Sequence, residues 1–351
     1  MQGARSSGEL RPMLTRRHLL QASLGGLAAL SFAPGGAQTL PPLNPKLTGD
    51  VYPVHDPCII KAQDMFYVLC TTPQAEAPKQ IPWRRSKDLL HWEKGGHVFN
   101  ALPAWAVQTI PHTQRLWAPD ISYFNGRYYL YYACSTFGSN RSAIGLATNA
   151  ALDPADSAYH WQDHGPVFQS HPSDDFNAID PNRIIDRSGQ HWLAFGSFWS
   201  GLKMIGLDPV SGMPLPNAVR HDLARRPKPP DAIEAVFIIE RAGNYYLFAS
   251  FDFCCRGADS SYYTVVGRSP RILGAYVDRN GVPMMAGGGT LLLAAGPGGS
   301  RWRGPGHIAI LRDDGKDYIA YHAYDADHDG RATLRIAPLG WTEDNWPAAF
   351  V

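Results

Sequence analysis

One hairpin-like module recurs five times along this chain, and that repetition limits its possible folds more than any single residue does. The copies read HDPCIIKAQDMFYVL from His55, APDISYFNGRYYLYY from Ala118, IDPNRIIDRSGQHWLAF from Ile179, IEAVFIIERAGNYYLFAS from Ile233 and GHIAILRDDGKDYIAYH from Gly306. Each is a short apolar run, a polar or glycine turn, and a second run dense in Tyr, Phe, Trp and Leu, which is the pattern of a β-hairpin. Aligning the aromatic runs puts Asp56, Ala118, Asp180, Glu234 and His307 at equivalent mouth positions, 62, 62, 54 and 73 residues apart. That spacing leaves room for about four strands per copy, and periods in this range mark solenoids or propellers. The expectation is an all-β, five-bladed β-propeller whose mouth positions ring one channel. A β-sandwich is the alternative, but it leaves the repeat unexplained.

The repeat covers nearly everything after position 50, so residues 38–351 read as one domain behind a separate leader. Charged residues make up 18% of the chain and the formal net charge is +1. This balance lacks the basic footprint of a nucleic-acid binder and is compatible with a neutral substrate. The leader, LTRRHLLQASLGGLAALSFAPGGAQ, carries Arg16 and Arg17, an apolar stretch, and small residues ahead of a cut after Ala37. Those are the parts of an export signal, and the paired arginines point to the twin-arginine route. The apolar run falls short of the roughly 20 residues that span a bilayer. Residues 1–37 are therefore expected to be cleaved, leaving no membrane anchor and a periplasmic or extracellular protein. The lead-in from Gln38 to Asp50 is expected to supply a closing strand.

The five cysteines match neither a disulfide framework nor a zinc pattern. Cys58 and Cys70 lie on the two arms of the first hairpin, where they either face each other or stay as buried thiols. Cys254 and Cys255 are adjacent and can close a vicinal disulfide ring.

Strand parity sorts the acids, because alternate residues face opposite sides of a sheet. Asp56 stands ten residues before Phe66, while Asp180 and Glu234 stand eleven before His191 and Tyr245 in hairpins one residue longer. These three are expected to start their innermost strands in register and to converge at one end of the channel. Asp120 lies two residues further along its strand and reads as a structural, hydrogen-bonding acid. A lone Asp-Pro is usually a turn carboxylate, but three acids at matching places in separate repeats point to chemistry. Glycoside hydrolysis needs two carboxyl groups in different protonation states, one to protonate the leaving oxygen and one to activate water or attack carbon. A third acid raises the donor's proton affinity. His55 and His307 can hydrogen-bond a sugar, and Trp117, Phe137, Phe198 and Trp199 offer rings to its apolar face. No serine triad, P-loop or metal-ligand cluster competes.

Several ordered segments resemble glycoside hydrolase family 43, and within it the endo-α-1,5-L-arabinanase branch. They are VHDP at 54–57, LWAPDI at 116–121, FGSNRSAIG at 137–145, NAIDP at 177–181, FGSFWSGLK at 195–203, IEAVFI at 233–238, FASFDFCCRG at 248–257, VVGRS at 265–269 and YHAYDA at 321–326. The resemblance implies inverting hydrolysis of internal α-1,5-L-arabinofuranosyl bonds. By matching motif, Asp56 is the general base, Asp180 tunes and orients the acid, and Glu234 is the general acid, with base and acid about 6.5–9.5 Å apart. Expected substrate contacts are His55, Trp117, Phe137, Asn177, Ser197, Cys254, Cys255 and His307. The chemistry requires no cofactor. An axial calcium ion held partly through water is implied near His322, although a histidine suits that oxygen-seeking ion poorly and a hydrogen-bonded core histidine is the plainer reading. The expected partner is arabinan or an arabino-oligosaccharide, and the protein is expected to be a monomer. The rivals are an exo-acting arabinanase, an arabinofuranosidase or β-xylosidase of the same family, and a non-catalytic carbohydrate-binding propeller. The chain ends just past the fifth copy, where many β-xylosidases of the family continue into a sandwich module, and a binding module has no need of three acids.

Overall fold

Each repeat becomes one sheet. The computed structural model describes residues 47–297 and 300–349; the expected signal and most of the lead-in lie outside them. Blade 1 comprises Cys58–Ala62, Met65–Leu69, Gln80–Ser86 and His91–Phe99, and blade 2 comprises Leu116–Phe124, Arg127–Cys134, Ser142–Asn149 and Gln162–Ser170. Blade 3 is formed by Asn182–Ile185, His191–Phe195, Leu202–Leu207 and His221–Ala224. Blade 4 runs through Ile233–Arg241, Asn244–Phe251, Tyr263–Ser269 and Thr290–Leu293, and blade 5 through Trp302–Asp313, Lys316–Asp325, Arg331–Trp341 and Pro347–Ala349. Within every blade the strands are antiparallel and in sequence order. Each first strand touches the first strands of the blades on either side, blade 5 against blade 1 included, so the architecture is the expected five-bladed propeller. Among the described residues no helix is long and apolar enough to cross a membrane.

Local chemistry explains the hairpins. Asn125-Gly126, Ala242-Gly243 and Asp314-Gly315 all have positive φ, the two-residue turn whose twist matches that of its flanking strands. Asn and Asp tolerate that region, whereas Ala242 occupies it without such help. The aromatic second strands then fill the gaps between blades. Tyr67, Leu69, Leu130 and Tyr132 pack between blades 1 and 2, and Tyr131, Ile144, Leu193 and Phe195 between blades 2 and 3. Ala194, Met204, Leu247 and Ala249 fill the next gap, Phe248, Val266, Ile319 and Tyr321 the fourth, and Val68, Trp92, Leu334 and Ile336 the last. With the apolar surface buried between blades, the axis is left to polar groups.

The ring is sewn shut at its ends. Val54 N–H donates to Ala332 O at 2.9 Å and Leu334 N–H to Val51 O at 2.8 Å, joining the segment just ahead of blade 1 to the third strand of blade 5. Thr48–Gly49, within the described end of the lead-in, pairs in parallel with the outer strand of blade 1.

One register expectation needs correction. Each first strand has a left-handed residue just before it or within its first half, namely Asp56, Ala118, Asp180, Ala235 and His307, with φ between 44° and 57°. Ala235, not Glu234, is the counterpart of Asp56 and Asp180. Glu234 pairs with Ser250, and the pairing then shifts before Phe237. This bulge is invisible when residues are counted back from Tyr245, so the expected position of Glu234 is off by one. The bulge re-aims the side chain, as bulges beside active sites do, and Glu234 still faces the channel mouth.

Candidate active site

Neighbouring blades hold the left-handed residues through their backbone N–H groups. Ala118 N–H donates to Thr71 Oγ1 at 2.8 Å, Ala235 N–H to Asp180 Oδ2 at 3.0 Å, His307 N–H to Ser250 Oγ at 3.0 Å and Asp56 N–H to His322 Nδ1 at 3.1 Å. At Gly306 an added Cβ would lie 2.3 Å from Tyr262 Cδ1, so glycine is what lets the fifth strand bring His307 inward. A cavity of about 740 Å³ opens over this ring. Its walls include His55, Asp56, Trp117, Phe137, Asn177, Asp180, Ser197, Glu234, Cys254, Cys255 and His307, which is every expected site residue except His322. Phe198, Trp199 and Phe253 add further rings.

Asp56 is crowded by donors. Thr71 donates its hydroxyl to Oδ2 at 2.6 Å, His55 Nδ1 approaches Oδ2 at 2.7 Å, and His307 Nδ1 approaches Oδ1 at 3.0 Å. Burial alone would favour the protonated acid, but His55 and His307 outweigh it and hold the Asp56 carboxyl well below the usual range. The coupling is mutual. Burial disfavours a charged His307, yet Asp56, followed by Asp180 and Glu234, pushes its pKa up to about 9. A carboxylate can only accept, so His55 must carry its hydrogen at Nδ1. Nε2 then faces Tyr324 OH at 2.7 Å, and that hydroxyl accepts Cys255 N–H at 2.7 Å.

Asp180 and Glu234 sit in the opposite setting. Asp180 accepts the Ala235 N–H, and Glu234 Oε2 accepts the Ser197 hydroxyl at 2.7 Å, with Tyr262 as a further hydrogen-bond partner of Glu234. Among the described residues, no ion pair involves either acid. Burial raises both, and neighbouring carboxylates add to it, taking Asp180 to about 8. The two are close enough to titrate together, so the pair, rather than either member, retains a proton through neutrality. Glu234 is partly exposed to the cavity whereas Asp180 is buried, so Glu234 is the member that can hand a proton to a bound molecule.

Asp120 behaves as the structural acid expected. It is buried and accepts from Asn182 Nδ2 at 3.1 Å and Arg183 N–H at 2.8 Å, one step below the mouth ring. Asn177 is oriented by Ser142, which donates to its Oδ1 at 2.6 Å. Phe137 projects from the rim, 84% exposed. Cys254 and Cys255 form the vicinal disulfide, while Cys58, Cys70 and Cys134 are buried free thiols. Sequence reasoning passed over Thr71, Tyr262 and Tyr324. The first was signalled by a hydroxyl just past the aromatic run in four copies, Thr71, Ser135, Ser197 and Ser250; nothing local marks the two tyrosines.

His322 lies beneath the cavity, fully buried and stacked on His55 with ring centres 3.9 Å apart. Burial, with His55 beside it, keeps the ring neutral. Since Nδ1 accepts the Asp56 N–H, the hydrogen rests on Nε2, which has no hydrogen-bond partner among the described residues. That atom suits a water, or the hydration shell of an ion, better than a direct metal bond.

The sequence matches the model of the glycosyl hydrolases family 43 over residues 43–347. It is 39% identical over 95% of its length to an extracellular exo-α-(1→5)-L-arabinofuranosidase, ArbA, of Cellvibrio japonicus, covering 94% of that protein. It is 40% identical over 84% of its length to extracellular endo-α-(1→5)-L-arabinanase 1 of Bacillus subtilis, covering 87% of it. The structure of Cellvibrio cellulosa α-L-arabinanase complexed with arabinohexaose superposes with a TM-score of 0.79 at 40% identity, over 85% of this chain and 95% of that one. The chain belongs to glycosyl hydrolase family 43, and is a glycoside hydrolase.

Proposed function

We propose that this enzyme cleaves internal α-1,5-L-arabinofuranosyl bonds of arabinan with inversion. The observation that carries this reading is the opposed proton affinity of Asp56 and the Asp180–Glu234 pair across one cavity. Ionised Asp56 takes a proton from water as the water oxygen attacks the anomeric carbon. Glu234 gives its proton to the departing oxygen on the other face, and Asp180 holds that proton in place through the shared charge of the pair. Solvent exchange then returns the proton from Asp56 and reloads Glu234. His55, Trp117, Phe137, Asn177, Ser197, the Cys254–Cys255 disulfide and His307 contact the sugar chain. The hydrolysis takes no cofactor. Calcium held near His322 through water would act structurally or electrostatically, and exhaustive chelation that leaves melting and activity unchanged would remove it.

The relatives support arabinan as substrate but divide over where they cut, since the Cellvibrio japonicus protein is named as exo-acting. Sizing the products from linear and branched arabinan decides this. Oligomers of mixed length support endo action, monosaccharide alone supports exo action, and no product overturns both. We further propose that the protein leaves the cytoplasm by the twin-arginine route, as Arg16 and Arg17 suggest, and works as a monomer, because one closed ring already holds the whole site. Lysine replacement of both arginines should keep the protein in the cytoplasm, and light scattering reports the mass.

A further inference from the structure

We propose that opening the Cys254–Cys255 disulfide creates a soft-metal site in the cavity wall. In it the two thiolates and His55 Nε2 hold one zinc-like cation, and its occupancy shuts off hydrolysis.

Three observations carry this. The two sulfurs and a ring nitrogen of His55 all lie within 4.8 Å of one another, and Cys255 Sγ stands 3.8 Å from His55 Nε2. A tetrahedral zinc site, with bonds of about 2.3 Å to sulfur and about 2.0–2.1 Å to nitrogen, places its ligand atoms at roughly such separations. Both sulfurs already point to one side of the backbone, because they are bonded and Cys255 is held in the left-handed region at φ 68°. The histidine is also pre-set. Asp56 fixes the hydrogen on Nδ1, which leaves Nε2, now bonded to the Tyr324 hydroxyl 2.7 Å away, as the ring atom next to Cys255 and free of hydrogen, as in the carboxylate–histidine–metal relays that orient zinc ligands. Cys255 is exposed to solvent, which can supply a fourth ligand, while Cys58, Cys70 and Cys134 are buried and do not compete.

The chemistry balances with a phosphine as reductant. The phosphine takes oxygen from water and becomes its oxide, and the disulfide becomes two thiols. Each thiol then loses its proton to solvent as the cation binds. The bound metal draws Nε2 away from Tyr324 and places a cation beyond the His55–Asp56 hydrogen bond, on a wall that the sugar would otherwise contact.

The test uses the whole protein, reduced with a water-soluble phosphine, desalted without oxygen and titrated with cobalt(II). Thiolate-to-cobalt charge-transfer absorption is expected in the reduced protein and not in the oxidised one. It should be lost or strongly reduced in Cys255→Ser, and weakened in affinity and altered in shape in His55→Ala, with folding of each checked by thermal melting. Zinc should remove most arabinan hydrolysis from the reduced enzyme only, and a chelator should restore it. Reduced protein without the charge-transfer band overturns the proposal. So does a band of unchanged shape and affinity in either His55→Ala or a second variant, His55→Gln. The cobalt spectrum does not depend on the substrate, so it stands or falls separately from the proposed activity.

Discussion

The two sides of the cavity floor use the same residue types to opposite effect. On the side of blades 1 and 5, Asp56 meets His55, His307 and the Thr71 hydroxyl, and its carboxyl is held far down. On the side of blades 3 and 4, Asp180 has the same left-handed backbone and similar burial, yet its hydrogen bond comes from an amide N–H, burial outweighs the pull of His307, and it rises to about 8. The repeat thus supplies equivalent acids, and the fifth blade makes them unequal by placing a histidine where blades 1 and 3 have aspartate. Pairs of carboxyl groups pushed apart in proton affinity are how one site runs both acid and base chemistry.

Removing either end of that contrast should have the largest effect. Asp56→Asn and Glu234→Gln are each expected to lower kcat on linear arabinan by about 10²–10⁴-fold or more, with melting curves that still report a folded protein. Near-normal turnover in either would break the assignment. His307→Gln takes one of its two histidine partners away from Asp56, so the acid limb of kcat/KM should move to higher pH by about one to three units. An unmoved limb would show that His55 alone sets the base.

Asp180→Asn removes a negative charge beside Glu234. Glu234 then gives up its proton more readily, and the alkaline limb should move down by about a unit. The smallest effect concerns stability. Asp180 is raised in the folded state, so between about pH 4 and 8 the native protein binds more protons than the unfolded chain, and stability falls as pH rises. His307 acts in the same direction, its contribution being complete below about pH 6.5 and lost through about pH 9. Melting temperature should therefore decline from pH 5 to 9 in the parent and decline less in Asp180→Asn; equal slopes would leave the contrast without a thermodynamic trace.

The fold was legible because the hairpins and their aromatic second strands repeat, and a repeat survives ignorance of exact boundaries. Asp56 and Asp180 were legible for the same reason. The register of Glu234 was not, since a bulge inserts a residue without changing composition, and only the backbone at Ala235 reveals it. The environment that ionises Asp56 was only half visible: His55 is its neighbour in sequence, but His307 reaches it from the far end of the chain. Likewise, the doublet Cys254-Cys255 was visible as a bond, but its closeness to His55 depends on blades 1 and 4 meeting across the mouth.

The seam described by Val54 with Ala332 and Val51 with Leu334 has a temporal consequence. The base belongs to the first blade synthesised, yet His307 and His322, which complete its surroundings, arrive on the last, a separation of 266 residues for the Asp56–His322 contact. Contacts so far apart in sequence carry the largest loop-closure cost and are slow to form. During refolding, sheet signals should therefore return before hydrolysis does, and enzymatic competence serves as a clock for the moment the two ends of the chain meet.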